Sequence, residues 1–272
     1  MELNETYNEI YSNGKEEYHS GNLTLIYSEV YKAIRNHVNG KKILDLGSGD
    51  GTFLTNYVTL QEPEEMFGID FSKEGVSIAQ NNIISKERKI RFECKSFESI
   101  EDELKFNSCL DKNYFDIITS IGVIEHLDRP ELLFYLANKL LKPGGMFIFE
   151  HPNFLNIRGL IWKTLEIFLE AEMSLTDKHT ILPDFIFSNI EKYNFKCESI
   201  KTFHHERGMM SEMVSEDYVK RLPLALKGKI EESKIEGKVK EFFDYLRFIT
   251  NDKVFPFSPA NGSEIIYILT KK

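Results

Sequence analysis

KILDLGSGDG, residues 42–51, joins a short apolar run to a turn with three glycines, and a helical stretch follows. Glycine has no Cβ atom, so this turn can be tight and a ligand can approach its backbone. The first N–H groups of a helix have no partner within it and carry partial positive charge. The turn is therefore predicted to bind an anionic group, either a dinucleotide pyrophosphate or a carboxylate.

The spacing of the glycines distinguishes between these two kinds of ligand. Gly47, Gly49 and Gly51 form a GxGxG pattern, whereas the dinucleotide pattern places its third glycine one position later, where Thr52 stands. This spacing disfavours a nicotinamide oxidoreductase. Asp45 lies inside the apolar run, where a carboxylate is costly unless it finds a partner. An amino-acid ammonium group, or a network around the turn, would supply that partner.

A second acid stands nineteen residues after Gly51, where another apolar run ends in Ile69-Asp70-Phe71. A carboxylate only accepts hydrogen bonds, so it suits the two hydroxyls of a ribose. We expect Asp70 to hold a ribose and Phe71 to pack on an adenine ring.

Short apolar runs alternate with helical stretches between residues 41 and 150. The predicted strands cover residues 43–46, 66–69, 90–94, 115–120 and 146–149, and the predicted helices cover residues 52–60, 73–85 and 130–141. Two further strands are predicted at residues 195–203 and 264–270, with a helix at 182–193. Such alternation favours a parallel sheet with helices on both faces.

Composition narrows the class of protein. The 272 residues carry 34 basic and 43 acidic side chains, a net charge of −9, which disfavours general nucleic-acid binding. The three cysteines show no CxxC spacing, so neither a disulfide framework nor a metal site is expected. The N-terminus is acidic and polar, and no run reaches 18 apolar residues. A cytoplasmic protein without a membrane span is therefore expected.

Taken together, the motifs resemble the class I S-adenosylmethionine-dependent methyltransferases, especially the small bacterial branch of ubiquinone- and sugar-tailoring enzymes. The resemblance covers residues 41–203 and the last strand, and it is carried by LDLGSGDG, GIDFS, YFDIITSIGVIEHL and LKPGGMFIFEHPN. It implies an α/β fold: a Rossmann-like, seven-stranded, mostly parallel sheet with helices on both faces, an antiparallel last strand and helical cap insertions. It also implies S-adenosyl-L-methionine as cofactor and S-adenosyl-L-homocysteine as product.

The resemblance assigns the cofactor site residue by residue. Gly47 and Gly49, with Asp45 nearby, should hold the methionyl end, and Asp70 the ribose. The family often places an acid against the adenine amino group where Ser96 stands here, which is a departure from its pattern. The complete set predicted to bind the cofactor is Asp45, Gly47, Ser48, Gly49, Asp70, Phe71, Ser96, Phe97 and Ile121.

A hydroxyl acceptor must lose its proton during methyl transfer, and histidine is the usual base near neutral pH. His151 directly follows a predicted strand and is the first choice for this role. His126 is a second candidate, or it stabilises a loop. His179 either contacts the substrate or anchors a loop.

We predict four segments. Residues 1–40 form an N-terminal helical cap, whose Tyr7 and Tyr11 either fold over the cofactor or face solvent. Residues 41–203 form the core, with a helical insertion at 154–178. Residues 204–260 form a second helical insertion, a lid or the surface of a homodimer, and residues 261–272 form the last strand. Arg158, Lys163 and Arg207 in these insertions either meet an anionic acceptor or are solvated charges.

The leading hypothesis is a small-molecule methyltransferase that acts on an oxygen of a sugar, a polysaccharide precursor or a phosphorylated metabolite. This choice of acceptor rests on family analogy. One alternative is metal-assisted methylation of an RNA 3′ end, which the order of Glu125-His126, His151 and Asp177-Lys178-His179 resembles. Another is a non-catalytic module that retains the cofactor pocket.

Overall fold

The computed structural model describes residues 3–13, 23–83, 89–105, 112–169, 171, 174, 176–205, 219, 237, 239–240 and 262–272. The chain divides into two compact units. The first, called the sheet unit below, consists of Met1–His151, Ile181–Ile200 and Ile266–Lys272. The second unit consists of Pro152–Thr180 and Lys201–Ile265.

Seven strands form one sheet in the order β3-β2-β1-β4-β5-β7-β6. They are β1 (Lys42–Leu46), β2 (Glu65–Asp70), β3 (Ile90–Cys94), β4 (Phe115–Ile121), β5 (Leu141–Pro152), β6 (Phe195–Phe203) and β7 (Glu264–Lys271). The β1–β2, β1–β4, β2–β3 and β4–β5 pairs are all parallel. The sheet is mostly parallel with one antiparallel edge, which confirms the predicted fold class.

The described helices surround this sheet. They are α1 (Leu3–Asn13), α2 (Leu23–Ile34), α3 (Thr52–Asn56), α4 (Lys73–Asn81), α5 (Phe97–Lys105), α6 (Glu131–Leu140), α7 (Ile157–Leu169) and α8 (Pro183–Lys192). Short 3₁₀ turns follow at Arg35–His37, Val58–Leu60 and Ile124–His126. Among the described residues, no helix is long and apolar enough to cross a membrane.

The central strands are buried on both faces, which explains their nearly continuous apolar sequences. Ile43, Leu44 and Leu46 of β1 are fully buried. Register places Leu46 opposite Ile69 of β2, and Asp45 opposite Thr119 of β4. Because these strands are parallel, their carboxyl ends meet at one edge of the sheet. That edge carries the glycine turn, Asp70 and the end of β4.

Two elements differ from the predicted pattern. The helix predicted at residues 130–141 ends at Leu140 as α6, and the next strand was expected only at residue 146. However, β5 begins at once at Leu141, and a register shift between Phe115 and Ile117 of β4 accommodates the irregular residues. The helix predicted at 52–60 breaks after Asn56. The Thr55 hydroxyl donates to the Gly51 carbonyl (3.0 Å), a side-chain bond that bends helices.

Much of the predicted insertion at 204–260 lies outside the described residues. The lid or homodimer surface predicted for this insertion therefore stays a prediction. The four-segment division also stays a prediction.

Candidate functional site

The glycine turn is held against the end of β2 by its backbone. The N–H groups of Gly47 and Ser48 both donate to the Ile69 carbonyl, at 2.8 and 3.0 Å. Gly47 and Gly49 have φ angles of 82° and 52°, in the left-handed region that favours glycine. A Cβ atom on Gly47 would overlap the Val123 side chain. Both glycines are therefore required by the backbone path and by close neighbours.

Asp70 joins the end of β2 to this turn. Its Oδ2 atom accepts from the Gly49 N–H at 2.8 Å, and its Oδ1 atom accepts from the Ser72 N–H at 2.8 Å. The side chain is only 6% exposed. Burial raises the pKa of Asp70, while the N–H groups of Ser72 and Gly49 counteract part of that increase. The structure thus brings together the two features that the sequence analysis assigned to one ligand.

Asp45 finds its partner within the sheet. The Thr119 hydroxyl of β4 donates to Asp45 Oδ1 at 2.7 Å, and the carboxylate is 2% exposed. The pKa of Asp45 is raised to about 7: burial is the largest cause, the Thr119 hydrogen bond opposes the rise, and the charge of Asp70 contributes to it. Of the two partners considered for Asp45, the structure shows a network, and the sequence analysis had not singled out Thr119.

Helix α1 packs over the turn and over the start of α4. The Tyr11 hydroxyl occupies the space that a Cβ atom on Gly49 would fill. Its ring lies 3.0 Å from the position of a Cβ atom on Gly75. Burial raises the pKa of Tyr11 strongly, and the nearby Asp70 charge adds to the increase. Of the two interpretations of this helix, the structure shows Tyr11 packed on the turn.

Two further residues of α1, Asn8 and Tyr7, fasten it to the segment that joins β2 to α4. Asn8 Oδ1 accepts from the Ser72 hydroxyl at 2.9 Å and from the Glu74 N–H at 3.4 Å. The Ser72 hydroxyl also accepts from the Gly75 N–H at 3.1 Å, so it caps α4. The Tyr7 ring lies edge-on to the Phe71 ring, with centroids 5.4 Å apart.

A cavity of about 440 Å³ opens beside the turn. It is lined by Leu23, Thr24, Tyr27, Asp50, Thr52, Asn56 and Tyr57. The Tyr27 and Tyr57 rings meet edge-on at 5.8 Å, and Asp50 accepts from the Thr52 N–H at 3.1 Å. Burial raises the pKa of Tyr27, and the charges of Asp50, Asp45 and Glu150 add to the increase. None of these lining side chains carries a positive charge. The sequence analysis did not assign Asp50 or Tyr27, although Asp50 lies inside the glycine turn.

On the predicted adenine side, Ser96 has a structural role. Its hydroxyl accepts from the Ser99 N–H at 3.2 Å, at the start of α5. Phe97 is 6% exposed and packs within the sheet unit, whereas Phe71 is half-buried. The Lys95 N–H donates to the Asp70 carbonyl at 2.9 Å, which brings this segment close to Asp70. At the end of β4, Ile121 is half-buried.

The three candidate bases occupy different surroundings. His151 is 2% exposed and stacks on Tyr267, with ring centroids 5.8 Å apart and planes 9° apart. The His126 ring lies edge-on to Tyr7 at 5.6 Å, and its Nε2 atom is 3.6 Å from Glu125 Oε1. His151 and His126 belong to the sheet unit, whereas His179 is half-buried in the second unit.

With the site described, comparison with known proteins identifies the family. A family model described as a methyltransferase domain matches residues 37–221, more than half of the chain. The chain belongs to the methyltransferase domain family. This membership confirms the predicted resemblance to class I S-adenosylmethionine-dependent methyltransferases, the enzyme class and S-adenosylmethionine as its cofactor.

Curated relatives of this methyltransferase include two proteins named ubiquinone biosynthesis O-methyltransferase. The one from Idiomarina loihiensis is 28% identical over 123 residues, which cover 44% of this chain and 47% of the relative. The one from Nitrosococcus oceani is 34% identical over 122 residues, which cover 44% and 48%. The chain therefore spans about half the length of these relatives.

Solved structures share the fold of the methyltransferase. An S-adenosylmethionine-dependent methyltransferase from Archaeoglobus fulgidus aligns with a TM-score of 0.58 and 18% identity, covering 92% of this chain and 95% of that one. The phosphoethanolamine N-methyltransferase 2 of Haemonchus contortus, in complex with S-adenosyl-L-methionine, aligns with a TM-score of 0.52 and 16% identity, covering 89% and 52%. At these identities the likeness establishes the fold only.

Proposed function

We propose that this methyltransferase transfers the methyl group of S-adenosylmethionine to an oxygen of a small-molecule acceptor. The observation that carries the proposal is the hydrogen bond from the Gly49 N–H to the Asp70 carboxylate (2.8 Å). It joins a turn suited to the amino-acid end of the cofactor to an acid suited to its ribose. The names of the curated relatives support oxygen as the receiving atom and a small molecule as the acceptor.

The residues present fit the cofactor. Asp70 would accept hydrogen bonds from the ribose hydroxyls, and Phe71 would pack on the adenine. The backbone of Gly47, Ser48 and Gly49 would lie against the methionyl end. Ser96 and Phe97 would border the adenine, and Ile121 would lie near the sulfonium. Asp45, in the strand that leads into the glycine turn, would help to hold that turn in place.

We further propose that the cavity beside the turn receives the α-ammonium group of the cofactor. Asp50 supplies a negative charge there, and the rings of Tyr27 and Tyr57 supply faces that attract a cation. The charge of Glu150, which also acts on Tyr27, makes the region more negative. This chemistry favours an organic cation over an anion.

The cofactor supplies an activated methyl group, so the protein mainly orients the reactants and excludes water. We propose His151 as the base that removes the proton from the acceptor hydroxyl. Its ring is held in one plane by Tyr267 and by Phe149, whose centroid lies 6.2 Å away. His126 and His179 stay alternative candidates for this role.

For the acceptor, we propose an anionic or sugar-like molecule, such as a polysaccharide precursor or a phosphorylated metabolite. Arg158 of the second unit supports this choice: it is a buried cationic residue, 6% exposed, and its guanidinium carbon lies 5.1 Å from the ring centroid of Trp162. A cytoplasmic location and a homodimer belong to the same proposal.

Calorimetry with S-adenosylhomocysteine tests the cofactor site. Asp70→Asn should weaken binding by about 1–3 kcal/mol, the usual loss for hydrogen bonds to a charged group. Asp102→Asn, which changes an exposed acid on α5, is the matched control and should leave affinity unchanged. Unchanged affinity in a folded Asp70→Asn variant, or no uptake by the wild type at millimolar ligand, would refute the assignment.

The acceptor is then found with methyl-labelled S-adenosylmethionine and a panel of compounds. The panel contains phenols, nucleotide sugars, phosphorylated metabolites and RNA 3′ ends. Transfer to a small-molecule hydroxyl supports the proposal. Transfer to RNA supports the metal-assisted alternative, and cofactor binding without transfer to any compound supports a non-catalytic module.

A further inference from the structure

We propose that strand β6 is an interface, and that its outer edge pairs, antiparallel, with the same strand of a second copy of the chain. Strand β6 (Phe195–Phe203) is the last strand on its side of the sheet, with β7 as its neighbour. The pairing concerns residues 195–200, which lie in the sheet unit. It involves neither the cofactor nor the acceptor, and it is separate from the insertion predicted at residues 204–260.

The outer edge of β6 is long and accessible. Lys196, Glu198, Ser199 and Ile200 are all exposed, and Ile200 is 44% exposed although it is apolar. The outermost strand of a sheet has a row of unpaired backbone groups, which can pair with another strand. Native edge strands are often very short or carry a proline, whereas β6 has nine residues and no proline. A second strand therefore has both space and hydrogen-bonding groups along this edge.

The bond between β6 and β7 indicates which backbone groups face outward. The Lys272 N–H donates to the Asn194 carbonyl at 3.1 Å, directly before β6 begins. In an antiparallel pair, every second residue directs both of its backbone groups to the same neighbour. Alternation from Asn194 therefore directs outward the N–H and C=O groups of Phe195, Cys197 and Ser199. An antiparallel partner would bond to these three residues.

Charge selects one register of this pairing. A two-fold interface presents the same surface from both copies. With the axis at Cys197, Lys196 lies directly opposite Glu198 of the partner subunit. An axis one residue earlier or later places two lysines or two glutamates opposite each other, which is destabilising. An axis at Ser199 places Ile200 opposite a glutamate. Charged side chains often protect an edge strand from association, but the order Lys-Cys-Glu makes this edge complementary to itself.

The ion pair within β6 is compatible with this register. Lys196 Nζ lies 2.8 Å from Glu198 Oε2, and the two side chains are 63% and 36% exposed. Two copies related by the axis would bring together four charges of alternating sign. Exposed ion pairs contribute little free energy by themselves. The charges therefore fix the register, whereas the backbone bonds and apolar contacts supply the affinity.

Helix α8 adds an apolar side chain beside the strand. Phe185 of α8 meets Phe134 of α6, with ring centroids 6.4 Å apart, and Phe134 packs on Phe149 of β5. Phe187 follows two residues later, about 200° around the helix axis, so it points away from α6. In the strand order, β6 lies beyond β7 on the far side of β5. Phe187 is 46% exposed, and exposed aromatic side chains are typical anchors of interfaces.

Sedimentation equilibrium of the full chain tests the association, and thiol cross-linking tests the surface. In the proposed register, Cys197 lies opposite Cys197 of the partner subunit, at the Cα–Cα distance of about 5.5 Å that suits a disulfide. A variant with Cys94→Ser and Cys109→Ser, which keeps Cys197, should therefore form a covalent dimer on mild oxidation with copper phenanthroline. The matched variant that keeps only the exposed Cys94 should not.

Charge reversal tests the register. Lys196→Glu and Glu198→Lys each place like charges opposite each other at two positions, and each should raise the Kd of the dimer about tenfold or more. The double variant restores opposite charges and should return to within about threefold of the wild type. Lys105→Glu, which reverses an exposed charge in an ion pair on α5, is the matched control and should leave the Kd unchanged.

Three outcomes would overturn the interface. The first is a wild-type chain that stays monomeric at the highest concentration at which it is soluble. The second is a dimer that does not cross-link through Cys197, and the third is a double variant that associates as weakly as the single ones. Because the interface does not involve the cofactor, each of these outcomes leaves the proposed function as it stands.

Discussion

The Tyr11 hydroxyl lies where a Cβ atom on Gly49 would stand, so the absence of one side chain makes room for another. Gly49 also has a φ angle of 52°, and its N–H donates to Asp70. One residue therefore shapes the turn, donates a hydrogen bond to the Asp70 carboxylate and makes room for helix α1.

Replacement of this glycine should destabilise the fold for two reasons. Gly49→Ala places a Cβ atom in a left-handed backbone and against Tyr11, whereas Gly40→Ala meets only the backbone cost, because nothing lies within 4 Å of its Cβ position. We expect a loss of about 1–2 kcal/mol at Gly40 and about 2–4 kcal/mol at Gly49, measured by urea denaturation. Adding Tyr11→Ala to Gly49→Ala should recover the part of the stability loss at Gly49 that exceeds the loss at Gly40. Equal losses of stability in the Gly40 and Gly49 variants would contradict the contact between Tyr11 and the Cβ position of Gly49.

Asp45 should make stability depend on pH. Its pKa is raised by burial to about 7 in the folded protein, so the folded state holds a proton that the unfolded state has released. Asp45 makes its full contribution to the free energy of unfolding at low pH, where it is protonated in both states. This contribution is lost as the pH rises towards 7. Between pH 5 and pH 8 the free energy of unfolding should therefore fall by about 2–3 kcal/mol through Asp45.

The variant that isolates this effect is Asp45→Asn, which keeps an oxygen to accept from Thr119. It should flatten the pH profile, and it should be more stable than wild type at pH 8. Chemical denaturation at several pH values measures both effects. A variant whose profile parallels that of the wild type would show that Asp45 is ionised throughout this range.

The Asp50 carboxylate should contribute to binding of the amino-acid end of the cofactor and not to binding of its nucleoside. Asp50→Asn should weaken S-adenosylhomocysteine binding about tenfold, because a charge-assisted contact to the ammonium becomes neutral. Binding of 5′-methylthioadenosine, which has no ammonium group, should stay within twofold, and this ligand serves as the control. Calorimetry with both ligands makes the comparison, and an equal loss for the two would place the ammonium elsewhere.

His151 should affect turnover and not donor binding. His151→Ala should lower methyl transfer by about 100-fold or more, as expected for loss of a general base, with S-adenosylhomocysteine affinity within twofold. Tyr267→Phe keeps the stacked ring and should stay close to wild type, whereas Tyr267→Leu should lower kcat more than it changes KM. Turnover by His151→Ala at the wild-type rate would exclude it as the base.

Local sequence was sufficient for most of the fold. The strand predicted at residues 195–203 coincides with β6, and that predicted at 90–94 coincides with β3. Apolar runs, helix periodicity and glycine turns are short-range signals, so they can be read from neighbouring residues. The same signals predicted that the next strand begins at residue 146, whereas β5 begins at Leu141 and includes a proline and two glycines through its pairing with β4.

The sequence alone determined the family, the sheet and the pairing of a glycine turn with an acid at the next strand, because each is written in contiguous residues. The tertiary structure decided what those residues touch. Thr119 bonds to Asp45 from 74 positions away, Tyr11 covers Gly49, and Tyr267 stacks on His151 from a distant strand. Such contacts depend on strand order and helix packing, which bring together residues that no local pattern connects.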